Sequence, residues 1–584
     1  MKSTGLENAV TQLLNLAENA LQGRETPNRF CGLKTPRTHF EEVLQKLSKN
    51  NEIYTIKSKH PELPIILSLE GGTGTGKSTI FNVLAGREVS VSGSERPKTF
   101  GPIFFCHKKH KDIISMPNVL SAYEKEFIES IEKIPAICGD PLKIKVILHG
   151  DKNLENIFLV DTPDIDSVET LNREMAEDVY DISDIILFIT SQEKYGDRLP
   201  FQIFQQALAD EKYFLIIMNK VDSTDAFTEL KQRILSETKS HLEETSFFSL
   251  PWTISESPFE ELLHHHELQR LKTILYDQSK ELPGEVRKKE LSSLKKRLIR
   301  YSEQLVSILE KERLAIDELL DNFQAIYDET EKQLLKKSVG HLDETTKQHI
   351  QNEIRQIFQR YDLLRKPRSF ISKIIKFPLS LFGLIPKSDE EKRKRDLAKL
   401  HRKIDLGPLH LAINDLNRKI HNEIRITGIE YLQDIFLSRN LSMTVEEIDK
   451  LFFEKQKQLE NWLQEQFSKL TKGIPKHKEW GIYSTTILWS IFLVSIETVV
   501  GGGLSMFEAI LDSVIMPFLS KGAVEIFAYQ ELKNIAEELD KRYKKQLREV
   551  LYTQYRRYTE ALEACAITKS DLDQVKKLLG EIRS

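Results

Sequence analysis

Cysteine is scarce: four occur in 584 residues, Cys31, Cys106, Cys138 and Cys565, far apart and with no C-x-x-C pair. That spacing excludes a disulfide framework and a structural zinc site, and it suits reduced thiols in a cytosolic protein. Net charge is nearly absent as well. The 84 Lys and Arg against 88 Asp and Glu leave −4, so no global field draws the chain to nucleic acid, and no such partner is expected. A clean membrane span is also missing. One needs about 20 apolar residues, but the charge-free run 482–496 stops at Glu497, and Glu508 and Asp512 interrupt the stretch beyond it. Residues 1–21 hold Glu7 and Glu18 and no unbroken apolar core, which reads as an amphipathic helix rather than a signal peptide. His264, His265 and His266 are adjacent, so on a helix they point different ways and suit a solvated face rather than a metal.

What the chain does have is concentrated at 64–84, PIILSLEGGTGTGKSTIFNVL. A β-branched apolar run leads into Gly71, Gly72, Thr73, Gly74, Thr75, Gly76, Lys77, Ser78 and Thr79, and then into a helical pattern. This is G-x-x-x-x-G-K-[ST] between a strand and a helix, the context that gives the motif its meaning. Glycines let successive backbone N–H groups wrap a phosphate, and the helix start adds its positive end. Lys77 is placed to reach the β- and γ-phosphates, and Ser78 to take one site on Mg²⁺.

A second motif, Asn219-Lys220-Val221-Asp222, follows the apolar run 213–218. The Asp222 carboxylate can accept from N1–H and the 2-amino group of guanine together, a donor pair that adenine lacks, so it selects GTP over ATP. Asn219 is expected either at the base edge or as a tether on the phosphate loop, with the Lys220 stem along the base and ribose. A third, Asp161-Thr162-Pro163-Asp164, puts a carboxylate at a strand end, where Asp161 can hold Mg²⁺.

In this order the three motifs resemble the translation-factor-like branch of P-loop GTPases, and Arg96-Pro97-Lys98-Thr99 looks like the Arg-Pro-x-Thr of a first switch. The resemblance implies that Thr99 senses Mg²⁺ and the γ-phosphate. It also marks a departure: Asp164 stands where the pattern has Gly, and Ile165 where some relatives carry a water-orienting Gln. Asp164 is therefore either a residue that helps orient the attacking water or a sign of slow hydrolysis completed by a partner in trans. Asp166 and Glu169 are candidates by proximity alone. The base-capping loop is expected near 253–255.

The wider pattern alternates strands (65–69, 103–107, 142–148, 156–160, 185–190, 213–218, 247–254) with helices (77–85, 168–180, 198–209, 225–244). This predicts an α/β head with a mostly parallel sheet and ligands at the carboxyl ends of its strands. Gly150, Asp151 and Asn153 between the third and fourth runs predict a hairpin. Residues 118–133 read as a helical insertion. Helices at 5–22 and 37–50 precede the head.

From about 256 on, Lys, Glu, Leu, Gln and Arg dominate, with apolar stripes such as Leu291, Leu294, Leu298, Tyr301, Leu305 and Ile308. The expected division is therefore 1–60, N-terminal helices; 61–256, GTPase head; and 257–584, a long all-α bundle or stalk. That plan resembles the bacterial dynamin-like large GTPases. The resemblance implies GTP, GDP and Mg²⁺ as ligands, self-association through head or helices, and a stalk tip on lipid.

Two stretches suit such a tip. Residues 369–387 set Phe, Ile and Leu among Lys373, Lys376 and Lys387, with basic clusters on both sides, as an anionic membrane surface would favour. Residues 481–519 form a hydrophobic hairpin, buried in the bundle or inserted shallowly in membrane. The expected location is the cytoplasm, including the inner face of the cell membrane. The competing reading is a soluble regulatory switch that binds a protein or ribosomal partner through its helical half.

Overall fold

The computed structural model describes residues 2–21, 37–90, 101–115, 123–128, 143–163, 170–191, 205–237, 246–252, 258–281, 283–337, 406–428, 430–438, 440–472 and 523–584. The chain packs as two units. Residues 1–23, 38–309 and 570–584 make the first, and 24–37 and 310–569 the second. Composition changes near 256, whereas the packing boundary of the head falls at Leu309, because the helices from 258 on bury apolar faces against it.

In the first unit, α1 (Lys2–Leu21) buries Leu6, Val10, Leu13 and Ala17 at helical spacing. The second helix, α2 (Arg37–Lys59), continues past the expected end at 50. The head comes next as β1 (Ile65–Gly71), α3 (Lys77–Ala85), β2 (Ile103–His107), α4 (Lys111–Ile114), β3 (Glu124–Ile128), β4 (Lys143–His149) and β5 (Ile157–Asp161). It continues with α5 (Thr170–Ile182), β6 (Ile185–Ser191), β7 (Tyr213–Val221), α6 (Thr224–Glu237), β8 (Phe247–Pro251), α7 (Pro258–Leu263) and α8 (His266–Glu281). Gly86 ends α3 in the left-handed region (φ 72°), and its N–H donates back to the last turn.

The eight strands lie in the order β3-β4-β2-β5-β1-β6-β7-β8, and β2–β5 is the antiparallel pair. Side chains of β6 alternate between two cores. Ile185, Leu187 and Ile189 join Phe81 of α3 and Leu271 of α8, while Ile186 and Phe188 join Tyr180 of α5 and Ile234 of α6. With both faces covered, the strands are near-continuous apolar runs. The carboxyl ends of β5, β1, β6, β7 and β8 share one edge, and β2 starts at that edge, with Ile103 opposite Asp161.

Two expectations are corrected. The strands β4 and β5 are not a hairpin, because β2 lies between them, parallel to β4 and antiparallel to β5. The turn residues shape a connection instead: Asp151 Oδ1 accepts from Asn153 N at 2.9 Å and caps a short 3₁₀ turn. Within 118–133, residues 124–128 are not helical but form the edge strand β3, paired in parallel with β4. Its Glu124 and Glu126 are exposed and Ile128 is buried, so the pairing overrides the helical propensity of a Glu- and Lys-rich stretch.

At the opposite edge of the sheet, buried charges fasten α2 and the start of α9 (Pro283–Lys337) to the head. Asp184 accepts from Ile66 N (2.9 Å), Lys57 Nζ (2.9 Å) and Arg287 Nη1 (2.8 Å). Glu290 meets Arg297 at 2.9 Å and Lys212 at 3.3 Å, and Arg297 reaches Asp181 at 3.1 Å. Along the same helix Leu294, Leu298, Tyr301, Leu305 and Ile308 are buried, as their stripe predicts, and Leu291 is half-buried.

The second unit is all-α in its described residues. It contains the rest of α9 with α10 (Gly407–Thr427), α11 (Glu430–Ser438), α12 (Val445–Lys472) and α13 (Ala523–Glu563). Its core joins Phe323 and Tyr327 to Ile413, Leu416, Phe436, Phe452, Leu551 and Tyr558. The final helix, α14 (Lys569–Arg583), packs almost wholly within the first unit, where Arg583 Nη2 meets Glu303 at 2.6 Å.

Among the described residues no helix is long and apolar enough to cross a membrane. Segments 369–387 and 481–519 lie outside the described residues. Cys106 and Cys565 are buried thiols, while Cys31 and Cys138 lie outside them.

Candidate nucleotide site

The end of β1 is close against β6. A Cβ on Gly71 would stand 2.2 Å from the carbonyl oxygen of Ile189, so a side chain there collides with the neighbouring strand. Beyond it the loop turns through Gly74 (φ 77°) and Gly76 (φ 93°), left-handed conformations that favour glycine, and α3 begins at Lys77. Thr75 Oγ1 donates to Gly72 O at 2.9 Å and closes the loop on itself. Lys77 is buried, and its Nζ donates to Gly71 O (2.9 Å) and Gly72 O (3.3 Å), arching over the loop it is expected to serve. Thr73 and Thr79 are half-buried beside it.

Asp161, the last residue of β5, is fully buried, and its Oδ2 accepts from Ser78 Oγ at 2.9 Å. Two of the three expected metal-binding residues are thus in contact. One hydroxyl and one carboxylate fit Mg²⁺, which takes few protein oxygens and completes its shell with phosphate and water. Sequence reading missed Ser90, whose Oγ donates to the same Asp161 oxygen at 2.7 Å. It is held there by Asn82 of α3, whose Oδ1 accepts from the N–H groups of Val89 (2.9 Å) and Ser90 (2.8 Å) and whose Nδ2 donates to Ser90 O (2.8 Å). Nothing in the local pattern marks that clamp.

Thr162 Oγ1 donates to Leu69 O at 2.6 Å and lies 3.2 Å from Glu70 Oε2. Glu70 is fully buried beneath the loop. Burial pushes its carboxyl up to about 8, against the opposing pull of Lys77.

From β7, Asn219 resolves the alternative left open by its motif. Its Nδ2 donates to Thr75 O at 2.9 Å, so it tethers the phosphate loop. Lys220 adopts a left-handed backbone (φ 61°), rare for a side chain with a Cβ, and its Nζ donates to Gly74 O at 2.8 Å. The same ammonium lies 5.1 Å from the ring centroid of Trp252. Asp222 is exposed just past the strand.

Thr99, Asp164, Ile165, Asp166, Glu169 and the stretch 253–255 lie outside the described residues. The three adjacent histidines are not on one helix: His264 and His265 fall in the connection before α8, and His266 begins it. Among the described residues no cluster of His, Cys, Asp and Glu could by itself hold a metal.

Residues 67–221 match the family model of the dynamin family, a stretch running from β1 through the phosphate loop and Asp161 to the end of β7. No curated protein matches the chain. Among solved structures, one described as an oligomerised bacterial dynamin pair for long-range sensing and tethering of membranes aligns over 98% of this chain and 99% of its own. It does so at 16% identity and a TM-score of 0.43. A second structure so described covers 94% and 91% at 14% identity and a TM-score of 0.39. A variant of Aquifex aeolicus Era bound to GDP and AlF₄⁻ covers 36% of this chain and 56% of its own, at 19% identity and a TM-score of 0.23.

Proposed function

We propose that this chain, whose head at 67–221 is a dynamin-family GTPase domain, binds GTP, hydrolyses it to GDP and phosphate, and couples the two states to self-assembly at a membrane surface. One observation carries the nucleotide part. Asn219 and Lys220, from the strand end that reads the base, each donate to a carbonyl of the phosphate loop, and Ser78 of the same segment donates to Asp161. Groups for base, phosphate and metal are parts of one connected site.

In this reading the loop N–H groups and Lys77 neutralise charge that builds on the γ-phosphate as water attacks in line. Ser78 and Asp161 hold Mg²⁺, which adds further neutralisation when bound, with Thr99 joining them from the first switch. Asp222 selects guanine. Because Ile165 stands where a water-orienting side chain is found in related patterns, a single head turns over slowly and a second copy accelerates it. The membrane part rests on 369–387, with its apolar residues among basic clusters. A cytoplasmic location, peripheral at the inner face of the membrane, goes with it.

The test is GTP hydrolysis per molecule across a range of protein concentrations, with Lys77→Ala as the blank. A rise with concentration supports activation between heads, and a flat profile removes it. Flotation with anionic vesicles, with and without GTP, tests the membrane part. Replacing Phe377, Leu381 and Phe382 by Glu should abolish flotation. A wild type that never floats would leave a soluble switch acting through its helices.

A further inference from the structure

Asp222 can read the edge of a guanine but cannot cover its faces. The Lys220 stem covers one part, since its ammonium is pinned 2.8 Å from Gly74 O and the stem must span from the end of β7 to the phosphate loop. A second group stands at the same place. Trp252 is the first residue past β8, and β8 pairs with β7 in a register that sets Pro251 opposite Val221. Its backbone N–H donates to Val221 O at 3.3 Å, which fastens it level with the Asn219–Asp222 motif.

The indole is not absorbed by the core. It is 46% exposed, and among the described residues every other large apolar side chain this exposed lies in the second unit. An exposed Trp is expensive in water, and its place beside the Lys220 ammonium, 5.1 Å from the ring centroid, puts an aromatic surface at the rim of the base site.

We propose that Trp252 is a wall of the base site: its indole packs on the bound guanine beside the Lys220 stem and supplies affinity that does not depend on base identity, leaving selection to Asp222. This rests on the nucleotide reading above. Stacking of a base on an aromatic ring is worth enough to change binding roughly tenfold and tolerates any base, because every base has a π-face.

The experiment is calorimetric binding of GDP and of inorganic tripolyphosphate to the full-length wild type, Trp252→Phe and Trp252→Ala. GDP affinity should fall roughly tenfold in Trp252→Ala and much less in Trp252→Phe, while tripolyphosphate binds all three alike. Trp252 emission should shift when GDP is added to the wild type, and that shift should vanish in Trp252→Phe, a measurement that needs no destabilising variant. Equal GDP affinity in all three proteins would overturn the proposal. So would an equal loss of GDP and tripolyphosphate in Trp252→Ala, since that would mean the ring merely supports Lys220 and the loop. A wild type that binds tripolyphosphate but not GDP would remove the nucleotide reading itself.

Discussion

The Asn219 amide nitrogen lies 2.9 Å from the carbonyl oxygen of Thr75, and a Cβ built on Gly76 would stand 2.3 Å from that same nitrogen. The tether between β7 and the phosphate loop therefore occupies the space a side chain at 76 would need. Gly76→Ala should both strain the left-handed backbone, by roughly 1–2 kcal/mol, and displace the Asn219 amide. Asn219→Ala removes the tether alone, worth about 1 kcal/mol. GDP affinity measured by calorimetry should fall severely in the first and roughly fivefold in the second. Unchanged affinity in Asn219→Ala would mean the loop holds its shape unaided.

How far such relations can be read in advance depends on whether they are local. The phosphate loop is legible because one short segment supplies strand, glycines and helix start. Asn219–Asp222 is legible because four consecutive residues carry the chemistry. Ser90 is not, since it reaches Asp161 only through the fold of the 86–90 turn and its Asn82 clamp. The β4–β5 connection misled for a related reason: its turn residues are genuine, but the partner of β5 arrives from about fifty residues upstream as β2. The charges at 57, 184, 212, 287, 290 and 297 read as ordinary surface residues, and only packing brings them together.

Glu70 gives a pH signature. Its carboxyl is raised by burial from 4.5 to about 8, so between those values the folded chain keeps a proton that the unfolded chain has lost. Its contribution to stability is fully present below 4.5 and drains away as pH rises through about 8. Glu70→Gln keeps the shape and removes the ionisation. The difference in urea midpoint, variant minus wild type, should grow from about pH 5 to about pH 8.5 and then level off. Parallel profiles would show that Glu70 is ionised in the folded head throughout.

At the opposite edge of the sheet, Asp184 accepts from two buried cations and the Ile66 N–H. Burial alone would push its carboxyl up, but Lys57 and Arg287 hold it below the ordinary range. Asp184→Ala leaves Lys57 on Ile182 O (2.7 Å) and Glu290 (3.6 Å) and Arg287 on Leu63 O (3.0 Å), but it removes the carboxylate between two buried cations, a loss of roughly 3–5 kcal/mol. Asp184→Asn keeps an acceptor for Ile66 and should cost less. Hydrogen exchange at the amides of β1 and β6 reads the effect locally. Slow exchange preserved in Asp184→Ala would show that the remaining partners of Lys57 and Arg287 hold the edge without it.

In the second unit, Tyr558 of α13 is fully buried, stacked on Phe436 with centroids 5.7 Å apart and planes 4° from parallel. Its hydroxyl bridges Ser442 Oγ and Asn417 Oδ1, each at 3.0 Å. One ring thus ties α10, α11 and the turn before α12 to α13. Tyr558→Phe keeps the stack and loses the bridge, about 1 kcal/mol. Tyr558→Ala opens a cavity among Phe436, Phe323 and their neighbours and should cost roughly 3–5 kcal/mol. Both should leave GDP affinity at the head unchanged, since the stack lies wholly within residues 310–569. The check is thermal unfolding with and without GDP. A single transition that moves with Tyr558→Ala and with GDP alike would mean the two units unfold as one, whereas two transitions, one answering to each change, would separate them.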